Sequence, residues 1–326
     1  MATRCFVGID LGGTNTKGGV VDENRRVLSQ LSIPTEAERG PDPVIELMAA
    51  LVDRVIDQAG LGKTNIEAVG IGSPGSMSHT RGIIIKPPNL PGWENVPLRD
   101  LIKDKTGLPT TLENDANAAA WGEFWAGAGR GTRHMVMFTL GTGVGGGIIT
   151  DGRLLRGHFD NGAELGHTIV QPGGRPCGCG QKGCLEAYAS ASYTARRATE
   201  AVKAGEPSSL TDVLAQEGEL TSEDVVNAAV QGDALATRIF DETCHYLAVA
   251  CVNMQHATNP ERIVLAGGMI AAGEDALLKP IRQKAAEMTW QAADDLPEIT
   301  FASLGNDAGF IGAAGAAWLA REEGEI

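Results

Sequence analysis

Apolar residues follow two patterns along this chain, and these patterns predict strands and helices in alternation. Consecutive apolar runs bounded by turn residues predict strands, and apolar residues at every third or fourth position predict helices. The predicted strands cover residues 5–9, 17–21, 26–31, 68–72, 110–113, 134–139, 147–150, 153–155, 262–266 and 299–302. The predicted helices cover 43–58, part of 93–106, 116–127, part of 157–171, 185–203, 222–231, 233–258, 275–290 and 309–321. This alternation predicts an α/β protein.

The first strand and its turn are repeated later in the chain. When the sequence is shifted by 129 positions, Leu11 aligns with Leu140, Gly12 with Gly141, and Asp22 with Asp151. In both copies an apolar run leads into glycines and hydroxyl residues, then into a second apolar run that ends in an acidic turn. The repeat predicts two related lobes with phosphates held between them.

Each copy contains a glycine loop that allows the backbone to approach phosphate oxygens with its N–H groups. In the first loop a hydroxyl at Thr14 and a charge at Lys17 add to this, and Asp10 is placed to hold Mg²⁺ directly or through water. A glycine-rich hairpin with no ligand is the alternative for either loop. The candidate phosphate-loop residues are Asp10, Gly12, Gly13, Thr14, Asn15 and Lys17 in the first copy and Gly141, Thr142 and Gly143 in the second.

The second loop also matches the G-x-G-x-x-G pattern of dinucleotide-binding folds. That fold requires a helix directly after the loop. Residues 147–155 instead predict a strand, an Asp-Gly turn and another strand. The dinucleotide interpretation is therefore excluded by context.

Asp115 stands where a predicted strand gives way to a helix, a usual place for side chains that face a cleft. It is a candidate general base for a hydroxyl that attacks the γ-phosphate of ATP, with Asn114 orienting the same region. The alternative is that Asp115 only caps the helix.

A short glycine-rich stretch carries four soft metal ligands: His167, Cys177, Cys179 and Cys184. This Cys₃His set predicts a tetrahedral Zn²⁺ site, with unmetallated thiols as the alternative. Four protein ligands leave no open position, so the predicted zinc is structural. The remaining cysteines, Cys5, Cys244 and Cys251, lie in apolar contexts that predict core positions.

The composition indicates a globular protein and excludes some function classes. The chain has 326 residues, is 43% hydrophobic and 21% charged, and carries a formal net charge of −14. That charge disfavours a nucleic-acid-binding protein. No apolar run is long enough to span a membrane, and the N-terminus lacks the layout of a signal peptide, so a cytoplasmic location is expected.

Together the motifs resemble the ROK family of sugar kinases, and most of all its bacterial glucokinases. The resemblance runs in order from about residue 5 to 320. The motifs that carry it are 10–14 (DLGGT), 113–117 (ENDAN), 140–147 (LGTGVGGG), 164–167 (ELGH) and 177–186 (CGCGQKGCLE).

This resemblance implies a two-lobed, actin-like fold of the ribonuclease H-like, hexokinase type with a structural zinc loop. It also implies transfer of the γ-phosphate of ATP, with Mg²⁺, to the 6-hydroxyl of a hexose. Asp115 is implied as the catalytic base, and Gly267 and Gly268 resemble the adenosine-side glycine pair, although a glycine pair can equally begin a helix. The implied sugar contacts are Gly75, Asn89, Asn114, Asp115, Glu164, His167 and Glu186.

The predicted division is an N-terminal lobe over 1–131, a C-terminal lobe over 132–308, and a last helix over 309–326 that packs back on the first lobe. The family resemblance suggests a homodimer or homotetramer. Glucose is favoured as substrate by Asn89–Trp93, with N-acetylmannosamine, N-acetylglucosamine, mannose, allose or fructose as alternatives. A non-catalytic sugar sensor is a further alternative. A repressor is disfavoured by the charge and by the few residues before Asp10, and no basic cluster indicates polyphosphate as donor.

Overall fold

The computed structural model describes residues 3–87, 89–290 and 296–326, in which strands and helices alternate as predicted. The predicted lobe ranges also include residues 1, 2, 88 and 291–295, which lie outside the described residues. The strands are β1 (Cys5–Leu11), β2 (Asn15–Asp22), β3 (Val27–Pro34), β4 (Ile66–Ser73), β5 (Ser76–Ser78), β6 (Ile83–Lys86), β7 (Thr110–Asn114), β8 (Met135–Leu140), β9 (Val144–Thr150), β10 (Arg153–Leu154), β11 (Arg262–Ala266) and β12 (Glu298–Phe301). The α-helices are α1 (Pro41–Gln58), α2 (Leu98–Thr106), α3 (Asp115–Ala126), α4 (Glu186–Ala189), α5 (Ala191–Lys203), α6 (Leu210–Glu217), α7 (Ser222–Val230), α8 (Ala234–Thr258), α9 (Lys279–Met288) and α10 (Ala308–Glu323).

The strands of the described residues form two five-stranded sheets of identical plan and a small β5–β6 hairpin. Their orders are β3-β2-β1-β4-β7 and β10-β9-β8-β11-β12. In each sheet antiparallel strands come first, and the last two strands added are parallel to their neighbours. β2 begins at Asn15 and β9 at Val144, which are 129 positions apart, the same shift as in the sequence repeat. The repeat seen in the sequence is therefore a repeat of structure.

Contacts divide the chain into two compact units. The first comprises Met1–Gly131, Gly147–Ala163 and Ser303–Ile326, and the second comprises Thr132–Gly146 and Glu164–Ala302. The continuous lobes expected from the sequence remain a prediction. A division by contacts identifies compact units, but it does not show which parts of the chain act together in function.

The core of the first unit is built on both faces of its sheet. Val7, Ile9 and other buried residues of one face pack with α1 and α2. On the opposite face α10 lies so close that a Cβ on Gly8 would be 1.8 Å from the carbonyl oxygen of Phe310, and one on Gly70 would be 1.8 Å from that of Ala313. Side chains alternate between the faces of a strand, so glycine on one face and large apolar residues on the other fit this two-sided packing.

The second unit is organised around the long helix α8. This helix packs against α4, α5, α7 and α9. Asp233 caps its N-terminus by accepting a hydrogen bond from the backbone N–H of Ala236 at 2.9 Å. No helix of the described residues combines the length and apolar character that a bilayer crossing requires.

The structure differs from the sequence expectations in short elements. The β5–β6 hairpin and α6 are additional, and the predicted helix over 185–203 is two helices, α4 and α5. Its interruption is caused by Ser190, which adopts an extended conformation and caps α5 by accepting from the N–H of Tyr193 at 3.1 Å. The predicted helix over 275–290 is a π-helical turn, Glu274–Leu278, followed by α9. The core positions expected for Cys5, Cys244 and Cys251 are confirmed.

Candidate active site

The first glycine loop joins β1 to β2 in a tight turn. The N–H of Gly12 donates to the carbonyl of Asn15 at 3.1 Å, and the hydroxyl of Thr35 donates to the carbonyl of Gly12 at 2.7 Å. The side chains of Thr14 and Asn15 are exposed at the tip. These hydrogen bonds hold the base of the loop, while its tip stays accessible to a ligand.

Asp10 and Lys17 are paired across the hairpin below this loop. Burial and, to a lesser extent, the nearby Asp115 carboxylate raise the pKa of Asp10 to about 6, against the opposing effect of Lys17. The Lys17 ammonium forms an ion pair with Asp307. A carboxylate that is this poorly neutralised by the protein is suited to a cation, which fits the predicted Mg²⁺ role.

Asp10→Asn is expected to stabilise the protein at pH 7.5. A rise in pKa from 3.8 to about 6 disfavours the folded state by up to about 3 kcal/mol once Asp10 is ionised. The folded state binds the extra proton between about pH 4 and pH 6, so the penalty grows across that window and is absent below it. Thermal melting at pH 4 and 7.5 measures the difference.

Asp22→Asn is the matched control on the same hairpin and should act in the opposite direction. Burial of the Asp22 carboxylate is outweighed by hydrogen bonds from the backbone and side chain of Arg26, which lower its pKa. Its charge therefore stabilises the protein at neutral pH, and that stability is lost on acidification. Equal shifts in melting temperature for both variants would contradict this assignment.

The Asn114–Asp115 junction lies where β7 ends and α3 begins. Asn114 caps the helix, because its Oδ1 accepts from the N–H groups of Ala116 at 3.0 Å and Asn117 at 3.2 Å. Asp115 is the first residue of the helix, and its Oδ1 accepts from the N–H of Ala116 at 2.8 Å. Burial raises the pKa of Asp115, while this bond and one from the Asn114 side chain oppose the shift. The capping role left open for Asp115 therefore belongs to Asn114.

Glu113, immediately before this junction, is part of a buried network that was not predicted from the sequence. Its Oε2 accepts from the Nε of Arg156 at 2.7 Å and lies 3.9 Å from the Nε2 of His79. Its Oε1 accepts from the N–H of Asn114 at 3.0 Å and from the side-chain amide of Asn117 at 3.2 Å. The network fixes the backbone at Asn114, next to the candidate base Asp115. A single sequence carries no signal for this network, because residues 110–113 include only one apolar residue and Arg156 lies 43 positions away.

Arg156→Met is expected to lower the free energy of unfolding by about 3 kcal/mol, because it leaves the Glu113 carboxylate buried without its partner. The double variant Arg156→Met/Glu113→Gln removes that charge and should recover at least half of the loss. Urea unfolding of the wild type, both single variants and the double variant completes the cycle. Additive losses would show that the two side chains do not act as a pair.

The remaining sugar-contact candidates of the first unit are Asn89 and Gly75. A Cβ on Gly13 would lie 3.2 Å from the Cβ of Asn89, so Asn89 contacts the first glycine loop. Gly75 has φ 88°, and a Cβ there would lie 2.4 Å from the Cα of Pro87. Gly75 thus permits the close turn into the β5–β6 hairpin.

The second glycine loop joins β8 to β9 in the same way. The N–H of Gly141 donates to the carbonyl of Gly143 at 3.0 Å, and the hydroxyl residue Thr142 is exposed at its tip. Gly267 lies against the base of this loop, because a Cβ added to Gly267 would be 2.4 Å from the carbonyl oxygen of Leu140. Gly268 begins a short 3-10 helix. β9 follows the loop directly, which confirms that no dinucleotide-binding turn is present here.

Glu186 and the 164–167 segment border the second loop. The Oε2 of Glu186 accepts from the N–H of Val144 at 3.0 Å. Gly166 packs on Val144, since a Cβ added to Gly166 would lie 1.9 Å from the Val144 carbonyl oxygen. Glu164 is exposed, and it follows Ala163, whose φ is 65°. The left-handed conformation of Ala163 is one that glycine would adopt with less strain.

The four predicted metal ligands converge in the second unit. The ligand atoms of His167, Cys177, Cys179 and Cys184 all lie within 4.8 Å of one another. The Cys179 and Cys184 sulfurs are 3.7 Å apart, and the Cys177 sulfur is 3.8 Å from the Nδ1 of His167. Metal–ligand bonds of about 2.0–2.3 Å in a tetrahedron give ligand separations of about 3.5–3.8 Å, so this donor set fits a tetrahedral metal ion.

Comparison with known proteins places the chain in one family over nearly its whole length. The profile of the ROK family matches residues 6–323. A glucokinase of Halalkalibacterium halodurans is 40% identical over 324 residues, which cover 99% of this chain and 97% of that protein. An N-acetylmannosamine kinase of Citrobacter koseri is 34% identical over 310 residues, 94% of this chain and 96% of that protein.

A solved structure gives the same result. The ROK family glucokinase from Streptomyces griseus, in complex with glucose and AMPPNP, is 34% identical and has a TM-score of 0.78, with 97% of this chain and 99% of that chain covered. The family profile runs from β1 to the end of α10, and the structural likeness covers 97% of the chain. The chain therefore belongs to the ROK family.

Proposed function

We propose that this protein is an ATP-dependent glucokinase that transfers the γ-phosphate of ATP to the 6-hydroxyl of glucose. The observation that carries the proposal is the Asn114–Asp115 junction. It presents a carboxylate whose pKa is raised by burial, at the end of a strand and beside Asp10. A general base works best when its pKa approaches the working pH. The identity with curated glucokinases supports glucose as the substrate.

In this proposal Asp115 accepts the proton of the attacking hydroxyl, and Asn114 orients it. The side-chain oxygen of Asn114 is used for capping and its amide also donates to Asp115, so the second amide N–H is what it can offer a ligand. The other sugar contacts are Gly75, Asn89, Glu164, His167 and Glu186, and carboxylates among them accept hydrogen bonds from vicinal hydroxyls. Phosphoryl transfer requires positioning and charge neutralisation more than covalent catalysis, and these residues supply the positioning.

The phosphates of ATP are assigned to the two glycine loops. Backbone N–H groups, the hydroxyls of Thr14 and Thr142, and the ammonium of Lys17 provide donors, and Gly267 and Gly268 border the adenosine. Asp10 would hold Mg²⁺, which neutralises phosphate charge when bound. The two repeated sheets are then the lobes of an actin-like, hexokinase-type fold.

We further propose that His167, Cys177, Cys179 and Cys184 bind one structural Zn²⁺. Three thiolates and an imidazole are the donors that zinc prefers, and four protein ligands complete its shell. The metal would fix the 164–186 segment, which carries Glu164 and Glu186.

A hexose panel tests the reaction. Release of ADP with Mg·ATP is measured with glucose, mannose, allose, fructose, N-acetylglucosamine and N-acetylmannosamine, and the product is located by NMR at the 6-position. The highest kcat/KM is expected with glucose. A preference for N-acetylmannosamine, which the Citrobacter koseri relative makes the second candidate, would retain the mechanism and change the substrate. Sugar binding with no ADP release from any sugar would indicate a sensor and overturn the proposal.

A further inference from the structure

The carboxylate of Glu186 is part of the second glycine loop's own architecture. Its Oε2 accepts from the Val144 N–H at 3.0 Å, directly after the loop residues 141–143. A Cβ on Gly143 would lie only 2.5 Å from the same oxygen, so the loop backbone and the carboxylate are in van der Waals contact. The absence of a side chain at Gly143 is what permits this contact.

Glu186 is itself held at its base. It is the first residue of α4, and it follows Cys184 and Leu185, whose N–H donates to the carbonyl of Thr168 at 2.9 Å. Its other oxygen, Oε1, lies 3.5 Å from the sulfur of Cys177. The carboxylate therefore reaches the glycine loop from the segment that carries Cys177 and Cys184.

A carboxylate has two oxygens and about four acceptor positions, so it can serve two donors at once. Oε2 is directed at the loop, which leaves acceptor positions for a sugar hydroxyl. We propose that Glu186 is a positioning residue for the nucleotide: it holds the Gly141–Val144 loop in the shape that receives the phosphates, in addition to contacting the sugar. This inference rests on the proposed function for the identity of both ligands.

One consequence is thermodynamic coupling of the two substrates through a single side chain. Any rearrangement of Glu186 on sugar binding changes the loop, and by linkage any change in the loop on nucleotide binding changes the affinity for sugar by the same factor. A residue that only binds sugar has no such effect on nucleotide affinity.

The test is binding of Mg·AMPPNP in the absence of sugar, by calorimetry. Glu186→Ala removes the acceptor, and Gly143→Ala displaces the carboxylate, whose movement costs the fold little because it is the end of a flexible side chain. Both are expected to weaken Mg·AMPPNP binding about fivefold or more. Glu186→Gln retains an acceptor oxygen for the Val144 N–H and should recover most of the affinity, although it weakens sugar binding.

Glu217→Ala, on the exposed side of α6, is the matched control for loss of a glutamate and should bind Mg·AMPPNP like the wild type. Melting curves confirm that each variant is folded. Equal affinities for wild type, Glu186→Ala and Gly143→Ala would overturn the proposal, as would a wild type that does not bind Mg·AMPPNP. A wild type that binds Mg·AMPPNP but phosphorylates no sugar would defeat the proposed function, while the variant series would still decide the role of Glu186.

Discussion

Replacing Asp115 with asparagine is expected to lower kcat for glucose phosphorylation about a thousandfold, the loss expected for a general base. The asparagine keeps the size of the side chain and the start of α3, but it cannot accept the proton. Because burial raises the pKa of Asp115, kcat/KM of the wild type should also fall on the acid side with an apparent pKa above the ordinary aspartate value of about 4. A coupled ADP assay across pH measures both effects.

Asp57→Asn provides the control, since Asp57 is exposed on α1. It should leave kcat and the melting temperature unchanged. A variant Asp115→Asn that retains more than about a tenth of wild-type kcat would remove Asp115 from the role of base. In that case the raised pKa would be a consequence of burial alone.

Loss of the proposed zinc is expected to have the second large effect. Cys179→Ser removes one ligand from an exposed position, so it disturbs the metal site and little packing. The segment around it is held by turn hydrogen bonds and isolated β-bridges rather than by a helix or a sheet. Structural zinc supplies about 10–16 kcal/mol in small zinc-binding peptides. We expect a melting temperature lower by roughly 10 °C or more and loss of kinase activity. Calorimetry and metal analysis of the same samples measure both.

Gln181→Ala, at an exposed position of the same loop, should retain zinc and melt like the wild type. The wild type, purified without chelator, should contain about one zinc per chain. A content far below one, with unchanged stability in Cys179→Ser, would mean that the four side chains are unmetallated thiols and an imidazole.

Local sequence rules predicted the elements that local forces determine. The Asp151-Gly152 turn between β9 and β10 was predictable because both residues tolerate positive φ, and the structure gives them 50° and 74°. The convergence of His167 with Cys177, Cys179 and Cys184 was predictable because the residues are close in sequence and their chemistry is specific. The same reasoning could not distinguish Asn114 from Asp115 as the helix cap, since both residue types are good caps. Because β7 ends at Asn114, this residue is the cap and Asp115 is the first residue of the helix.

Features that depend on distant residues were not predictable. Arg156 pairs with Glu113 across 43 positions, and an arginine after a predicted strand carries no sign of such a partner. Glu123 is wholly buried in α3, where its carboxylate accepts from the N–H groups of Ser303 and Leu304, 180 and 181 positions away. In both cases a charged residue that a single sequence assigns to the surface is buried, because its partner arrives from another part of the chain.

The packing of α10 has a consequence for how the protein is made. Gly8 and Gly70 lie against its backbone, so the face of β1 and β4 around these two glycines is covered only when this helix is in place. On the ribosome, β1 emerges first, whereas α10 emerges after every residue of the second unit. β1 and β4 therefore leave this face uncovered while the second unit is synthesised. Nascent chains that stop before Ala308 should be the ones that chaperones retain.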